Sequence, residues 1–126
     1  MKIVYALSVG VLVAAALGSA GVASADPLTG SYTATVTGTI GDYLGAPVIT
    51  WVFTPCGPDC VVVDAQNARL HPTPGGGWAG TYNVHAVDNG EVVVCSRAIP
   101  AGLATASDIC PQPLGMIVNY QLTKNG

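Results

Sequence analysis

Four cysteines, two histidines and seven acidic residues are the groups best suited to chemistry in this chain of 126 residues. Cys56 and Cys60 enclose Gly57-Pro58-Asp59, while Cys95 and Cys110 stand apart. A redox-active pair usually has two intervening residues at a helix N-terminus, which lowers the pKa of one thiol. Three intervening residues including a proline, between β-type runs, do not fit that chemistry. A four-thiolate zinc site needs two close pairs on tight turns, and only one close pair exists. Structural disulfides are the better reading of an even cysteine number, although four cysteines allow three pairings. Gly57, Pro58 and Asp59 are turn formers that bring Cys56 back to Cys60, so we favour Cys56–Cys60 and Cys95–Cys110. In a chain-entropy account the short loop contributes about 2 kcal/mol and the longer one about 3 kcal/mol.

The remaining candidates form no catalytic set. Nucleophilic catalysis needs a histidine oriented by a carboxylate and facing a Ser or Cys, yet Ser31, Ser96 and Ser107 lie in no nucleophile motif. His85 alternates with Asn83 and Thr81 as on an exposed strand face, and His71 precedes Pro72 at a strand end. Asp42, Asp59, Asp88 and Asp108 sit among turn residues, where aspartate caps backbone groups; Asp64 and Glu91 flank strands. No paired carboxylates for glycoside hydrolysis stand out. Gly75-Gly76-Gly77 has no following Lys-Ser/Thr or helix and is not a phosphate loop. The expectation is a non-enzymatic protein with no metal and no cofactor.

The elements that must carry these residues are strands. Tyr32 to Thr39 alternates strictly, with Thr33, Thr35, Thr37 and Thr39 on one face, the pattern of a strand with a wet side. That threonine face is the outer side of a strand, or alternatively a hydroxyl surface for carbohydrate or cell wall. Val48 to Thr54 is a second strand with Ile49, Trp51 and Phe53 on its core face. Pro55 to Cys60 turns into Val61–Val63, and Ala68–His71 is a short strand candidate. Trp78 to Val87 resumes the alternation with Trp78, Gly80, Tyr82 and Val84 together. Asn89-Gly90 before Glu91–Ser96 predicts a hairpin, because a type I′ turn needs positive φ at both central residues. Residues 100–113 look irregular, and Gly115 to Leu122 closes the chain. The fold class is therefore all-β: a small antiparallel sandwich or barrel of six to seven short strands, stapled by disulfides.

The N-terminus has the layout of an export signal. Met1-Lys2 precedes an apolar run from Ile3 to Leu17, and Ala23-Ser24-Ala25 matches the Ala-x-Ala pattern of signal peptidase. The apolar run falls short of the roughly 20 residues of a membrane span. Residues 1–25 are thus expected to be a signal peptide and 26–126 a single secreted β domain, with no stable membrane anchor after cleavage. Without Lys2 the cations are Arg69, Arg97 and Lys124 against seven acids, a net charge of −4. Such a chain cannot neutralise a nucleic-acid backbone, so nucleic acid is excluded as a partner.

The segment Trp51-x-Phe-Thr-Pro-Cys-Gly-Pro-x-Cys60, with Val61, Ala68-Arg69-Leu70, Gly77-Trp78 and Cys95, resembles a group of small exported actinobacterial, mainly mycobacterial, proteins. The resemblance implies export, a compact β domain and disulfides, and transfers no site residue. The leading functional expectation is a secreted or cell-envelope binding domain whose partner is a protein, the cell wall or an apolar molecule. One alternative is a small barrel for a lipid or other apolar ligand, lined by Trp51, Phe53, Trp78 and Tyr82, although such aromatics commonly fill a core instead. The other is a hydrolase whose site is assembled only in space, with His71 or His85 reaching both a serine and an aspartate.

Overall fold

The computed structural model describes residues 26–86 and 90–126. The signal segment expected over 1–25 lies outside the described residues. Eight strands run in chain order, β1 (Gly30–Ile40), β2 (Val48–Gly57), β3 (Cys60–Val63), β4 (Ala68–Pro72), β5 (Trp78–His85), β6 (Val92–Ile99), β7 (Thr105–Cys110) and β8 (Met116–Lys124). Each pairs antiparallel with the next, and β8 pairs back onto β1, so the sheet closes into an up-and-down barrel. Closure leaves no free strand edge, where unpaired backbone groups would invite association.

Period-two patterning produces this geometry. On β6 every second residue from Val93 is buried while its neighbours are exposed. β7 repeats the pattern with Ala106, Asp108 and Cys110 inward. On β2, Trp51 and Phe53 are buried as expected, while Ile49 is only half-buried. A register shift between Val36 and Gly38 marks a bulge in β1 opposite β8, a feature that bends a strand and helps a sheet curve round. Buried aromatic side chains each remove roughly 150–250 Å² from water, and Trp51, Phe53, Tyr32, Tyr82, Tyr120 and Trp78 all belong to one core.

Three expectations need correction. The strands number eight rather than six or seven, and the architecture is a barrel. Residues 100–113 are not irregular, since they contain β7 between β6 and β8. Asp108 is not a turn residue: it is buried in the middle of β7. Its polar side chain interrupts the apolar alternation, which is what hid the strand. The β5–β6 hairpin is present, with His85 opposite Val92 and the Ala86 N–H donating to the Glu91 carbonyl at 2.8 Å. This register closes the hairpin at Ala86 and Glu91, wider than a two-residue turn at Asn89-Gly90. Asn89 itself lies outside the described residues.

Both favoured disulfides are formed, Cys56–Cys60 and Cys95–Cys110. The first spans the β2–β3 turn. The second joins neighbouring strands inside the barrel, with both cysteines buried. Disulfides form and persist in oxidising compartments. Among the described residues no helix is long and apolar enough to cross a membrane.

Candidate functional site

Inside the barrel, β6 and β7 place Arg97 directly opposite Asp108. Both are buried, at 1% and 2% exposure, and they are the two buried charged residues among those described. The pair is bidentate: Arg97 Nε donates to Asp108 Oδ1 and Arg97 Nη2 to Oδ2, each at 2.7 Å. Two tyrosines complete the carboxylate's shell. The Tyr82 hydroxyl donates to Oδ2 at 2.9 Å and the Tyr120 hydroxyl at 3.1 Å. A buried charge pair is tolerable only when its remaining polar atoms are also satisfied, and four donor bonds to one carboxylate meet that demand.

The outer side of the guanidinium is held by the β3–β4 connection. Arg97 Nη1 donates to the Ala65 carbonyl at 3.1 Å and Nη2 to Gln66 Oε1 at 2.8 Å. Gln66 and Asn67 both have positive φ, at 61° and 53°. Each such residue costs about 1–2 kcal/mol without glycine, a cost opposed here by two hydrogen bonds to a buried cation. The flat face of the guanidinium lies 4.2 Å from the Trp51 ring centroid and 4.7 Å from that of Tyr82. Trp51 also meets Tyr120 edge-on at 4.7 Å. Its indole Nε1 is buried and has no hydrogen-bond partner.

The electrostatics follow from these contacts. Burial works against the charge of Arg97, but the hydrogen bonds and negative charge of Asp108 outweigh it and raise its pKa. Burial first, then the Asp108 charge, push the Tyr82 and Tyr120 hydroxyls upward as well. Tyr43, in the β1–β2 connection, is raised by the same two causes in the same order. Arg97, Tyr82 and Tyr120 thus keep their protons at neutral pH. Together they form a polar cluster in the barrel interior in which Asp108 faces Arg97 as its charge partner.

Of the four aromatics expected to line a cavity, Trp51 and Tyr82 converge on Arg97. Phe53 stands behind them, edge-on to Tyr32 at 5.3 Å and to Trp51 at 6.2 Å. Trp78 stands opposite Ile99, two residues further along β6 than Arg97, at the end that carries the β4–β5 connection, its Nε1 donating to the Asp26 carbonyl at 2.8 Å. Arg97, Asp108, Tyr120 and Gln66 escaped the sequence reading. The missed signal was register: carrying the β6 alternation two residues past Cys95 puts Arg97 on the inner face.

The hydrolase geometry does not form among the described residues. His71 Nδ1 contacts the Asp59 carbonyl at 3.0 Å. His85 is exposed at the far end of the neighbouring strand, about 20 Å along it from Ala79, the partner of His71. The threonine face is outward only at Thr33 and Thr35, whose partners Thr123 and Gln121 on β8 are exposed, with Thr33 Oγ1 donating to Asn125 Oδ1 at 2.8 Å. Past the bulge at Thr37 the phase shifts and Thr39 stands opposite buried Val118, so the four threonines do not share one face.

The two ends of the barrel differ. At the end carrying the β4–β5 and β6–β7 connections, the segment before β1 lies across the opening. Asp26 N–H donates to the Gly76 carbonyl at 3.2 Å, and its Oδ2 accepts from the Gly102 N–H at 2.9 Å. Leu28, 1% exposed, joins the core there. The other end carries the β1–β2, β3–β4, β5–β6 and β7–β8 connections. Half-buried Val36, Tyr43, Ile49, Val84, Leu114 and Met116 pack there against the core. No protein-family model, curated protein or solved structure matches the chain.

Proposed function

We propose that the protein is an exported, non-enzymatic binding protein of the cell envelope or its surroundings, and that its barrel takes one small apolar ligand. The ligand enters at the end ringed by Val36, Tyr43, Ile49, Val84, Leu114 and Met116. The observation that carries this reading is the asymmetry of the ends: Leu28 and Asp26 close one, while half-buried apolar side chains frame the other. Eight-stranded barrels have an interior just wide enough for packed side chains or one small ligand. Largely apolar lining with a few convergent polar groups is the usual character of a ligand site. The two disulfides support an oxidising compartment, and the Ala23-Ser24-Ala25 site supports export.

The test is a titration of the oxidised chain over residues 26–126 with 1-octanol, followed by the methyl resonances of Ile49, Val84 and Met116. Native mass spectrometry of the exported protein reports any co-purifying lipid. Saturable shifts of those methyls are expected; a spectrum unchanged up to the solubility limit would refute the reading. A second reading, docking of a protein or wall polymer, is favoured by exposed Ile40, Leu44 and Val48 near the same end, at 63%, 88% and 56% exposure. Under that reading, replacing these three with polar residues abolishes capture of the partner and leaves the octanol titration unaltered.

A further inference from the structure

Trp51 offers a donor with no acceptor, in a site whose charges are already balanced. Its side chain is 1% exposed, and Nε1 has no hydrogen-bond partner. An indole N–H can only donate, so the group that would complete it is an acceptor. The neighbouring hydroxyl protons are committed, since Tyr82 and Tyr120 both donate to Asp108 Oδ2. Arg97, stacked over the same indole at 4.2 Å, spends four of its five N–H groups on Asp108, Ala65 and Gln66. Trp51 Nε1 is therefore a buried donor left without an acceptor, next to a guanidinium whose charge is already balanced.

We propose that the ligand is an apolar chain ending in a neutral oxygen acceptor, such as an alcohol, ketone or ester, and that this oxygen is received by Trp51 Nε1 beside the Arg97 guanidinium. The inference rests on the reading of the barrel as an apolar-ligand binder and specifies the ligand class. Charge selects neutrality. Asp108 already neutralises Arg97, so a carboxylate would add an uncompensated buried anion and an ammonium an uncompensated buried cation, both costly in a low-dielectric interior. Position supplies the polarity of entry. Trp51 lies two residues inward from half-buried Ile49, about 7 Å along β2, so the oxygen leads and the apolar tail occupies the mouth.

The experiment uses the oxidised chain over residues 26–126, labelled with 15N and in methyl groups, titrated at pH 7 with 1-octanol, octanoate and octylammonium. Two tryptophans give two indole N–H resonances, and Trp78, bonded to the Asp26 carbonyl, is the internal control. We expect 1-octanol to shift the Trp51 indole proton downfield, leave that of Trp78 in place, and bind at least tenfold more tightly than either charged probe. Trp51→Phe is expected to weaken octanol binding about two- to tenfold, the range of one neutral hydrogen bond, while the charged probes bind as before. Shifts of the Ile49, Val84 and Met116 methyls with an unmoved Trp51 indole overturn the ligand class and leave the apolar-ligand reading intact. Tighter binding of octanoate or octylammonium than of octanol does the same. No methyl shift with any probe overturns both. The wild-type spectra decide the matter even if Trp51→Phe does not fold.

Discussion

Replacing Asp108 by Asn is the sharpest perturbation of the interior. The substitution keeps the shape of the side chain and removes its charge. Arg97 then remains buried, at 1% exposure, with no anion within the barrel. The amide can accept on one oxygen only, so the bidentate contacts at 2.7 Å to both carboxylate oxygens cannot both survive. The Tyr82 and Tyr120 hydroxyls lose a charged acceptor at 2.9 and 3.1 Å. Breaking a buried pair by neutralising one partner costs about 3–5 kcal/mol, against a total stability of roughly 5–15 kcal/mol for a domain. Guanidinium chloride unfolding with both disulfides intact, at a slope of roughly 2–6 kcal/mol per molar, converts that loss to a midpoint drop of about 1 M. The control is Arg97→Met with Asp108→Leu, which removes both charges together; a well-packed apolar replacement is often neutral or stabilising. The double variant is therefore expected to be far more stable than Asp108→Asn. A midpoint for Asp108→Asn within about 0.2 M of wild type, or a double variant as damaged as the single one, would refute the picture of a charge-balanced buried network.

Alkaline pH attacks the same network. Folding holds Tyr82 and Tyr120 protonated above the ordinary value of 10.0, so their contribution is fully present below pH 10. Above it the unfolded chain loses protons that the folded chain keeps, and stability falls by up to about 1.4 kcal/mol per pH unit for each tyrosine. Chemical unfolding at pH 9, 10 and 11 checks this, and Tyr82→Phe or Tyr120→Phe should flatten the slope by one tyrosine's share. Removing the Cys95–Cys110 bridge as a double serine variant is expected to cost about 3 kcal/mol or more, and removing Cys56–Cys60 about 2 kcal/mol, because the first closes the longer loop and lies in the core; calorimetry of both variants gives the order. Gly80→Ala should prevent normal folding, since a Cβ there would collide with the Arg69 carbonyl oxygen on β4; circular dichroism of the secreted variant decides it. Leu28→Ala, which empties the closed end of the barrel, is expected to lower stability by about 2–5 kcal/mol, read from the same denaturant titration.

The disulfides connect stability to the site. Cys95 and Cys110 are buried on the same strands that carry Arg97 and Asp108, two residues away on each. Side chains two residues apart on a strand share a face, so the covalent link stands beside the ion pair on the inner wall. The bridge thereby keeps β6 and β7 in the one register that places Arg97 opposite Asp108. A one-residue slip would turn every inward side chain of a strand to the outside.

What the sequence determined by itself was local. Alternation in Tyr32–Thr39 and Val48–Thr54 specified strands and, as far as the bulge in β1, their faces, because period two is a property of the strand alone. Gly57-Pro58-Asp59 between two cysteines specified the short disulfide, since turn geometry alone brings their side chains together. The succession of short alternating segments specified an all-β class and left sandwich and barrel open. What only the tertiary structure decided was everything that depends on closure. Pairing of β8 with β1 turns two half-covered sheet faces into one interior, and no residue near either strand announces it. Arg97 and Asp108 look like surface or turn residues in a linear reading, since a lone charge on a strand has water as its default partner. They become a buried pair only because cross-strand register sets them opposite each other, and because Tyr82, Tyr120 and the Ala65–Gln66 turn arrive from other strands to satisfy them. The candidate site is made of such contacts between distant residues, and for that reason it was invisible until the barrel closed around it.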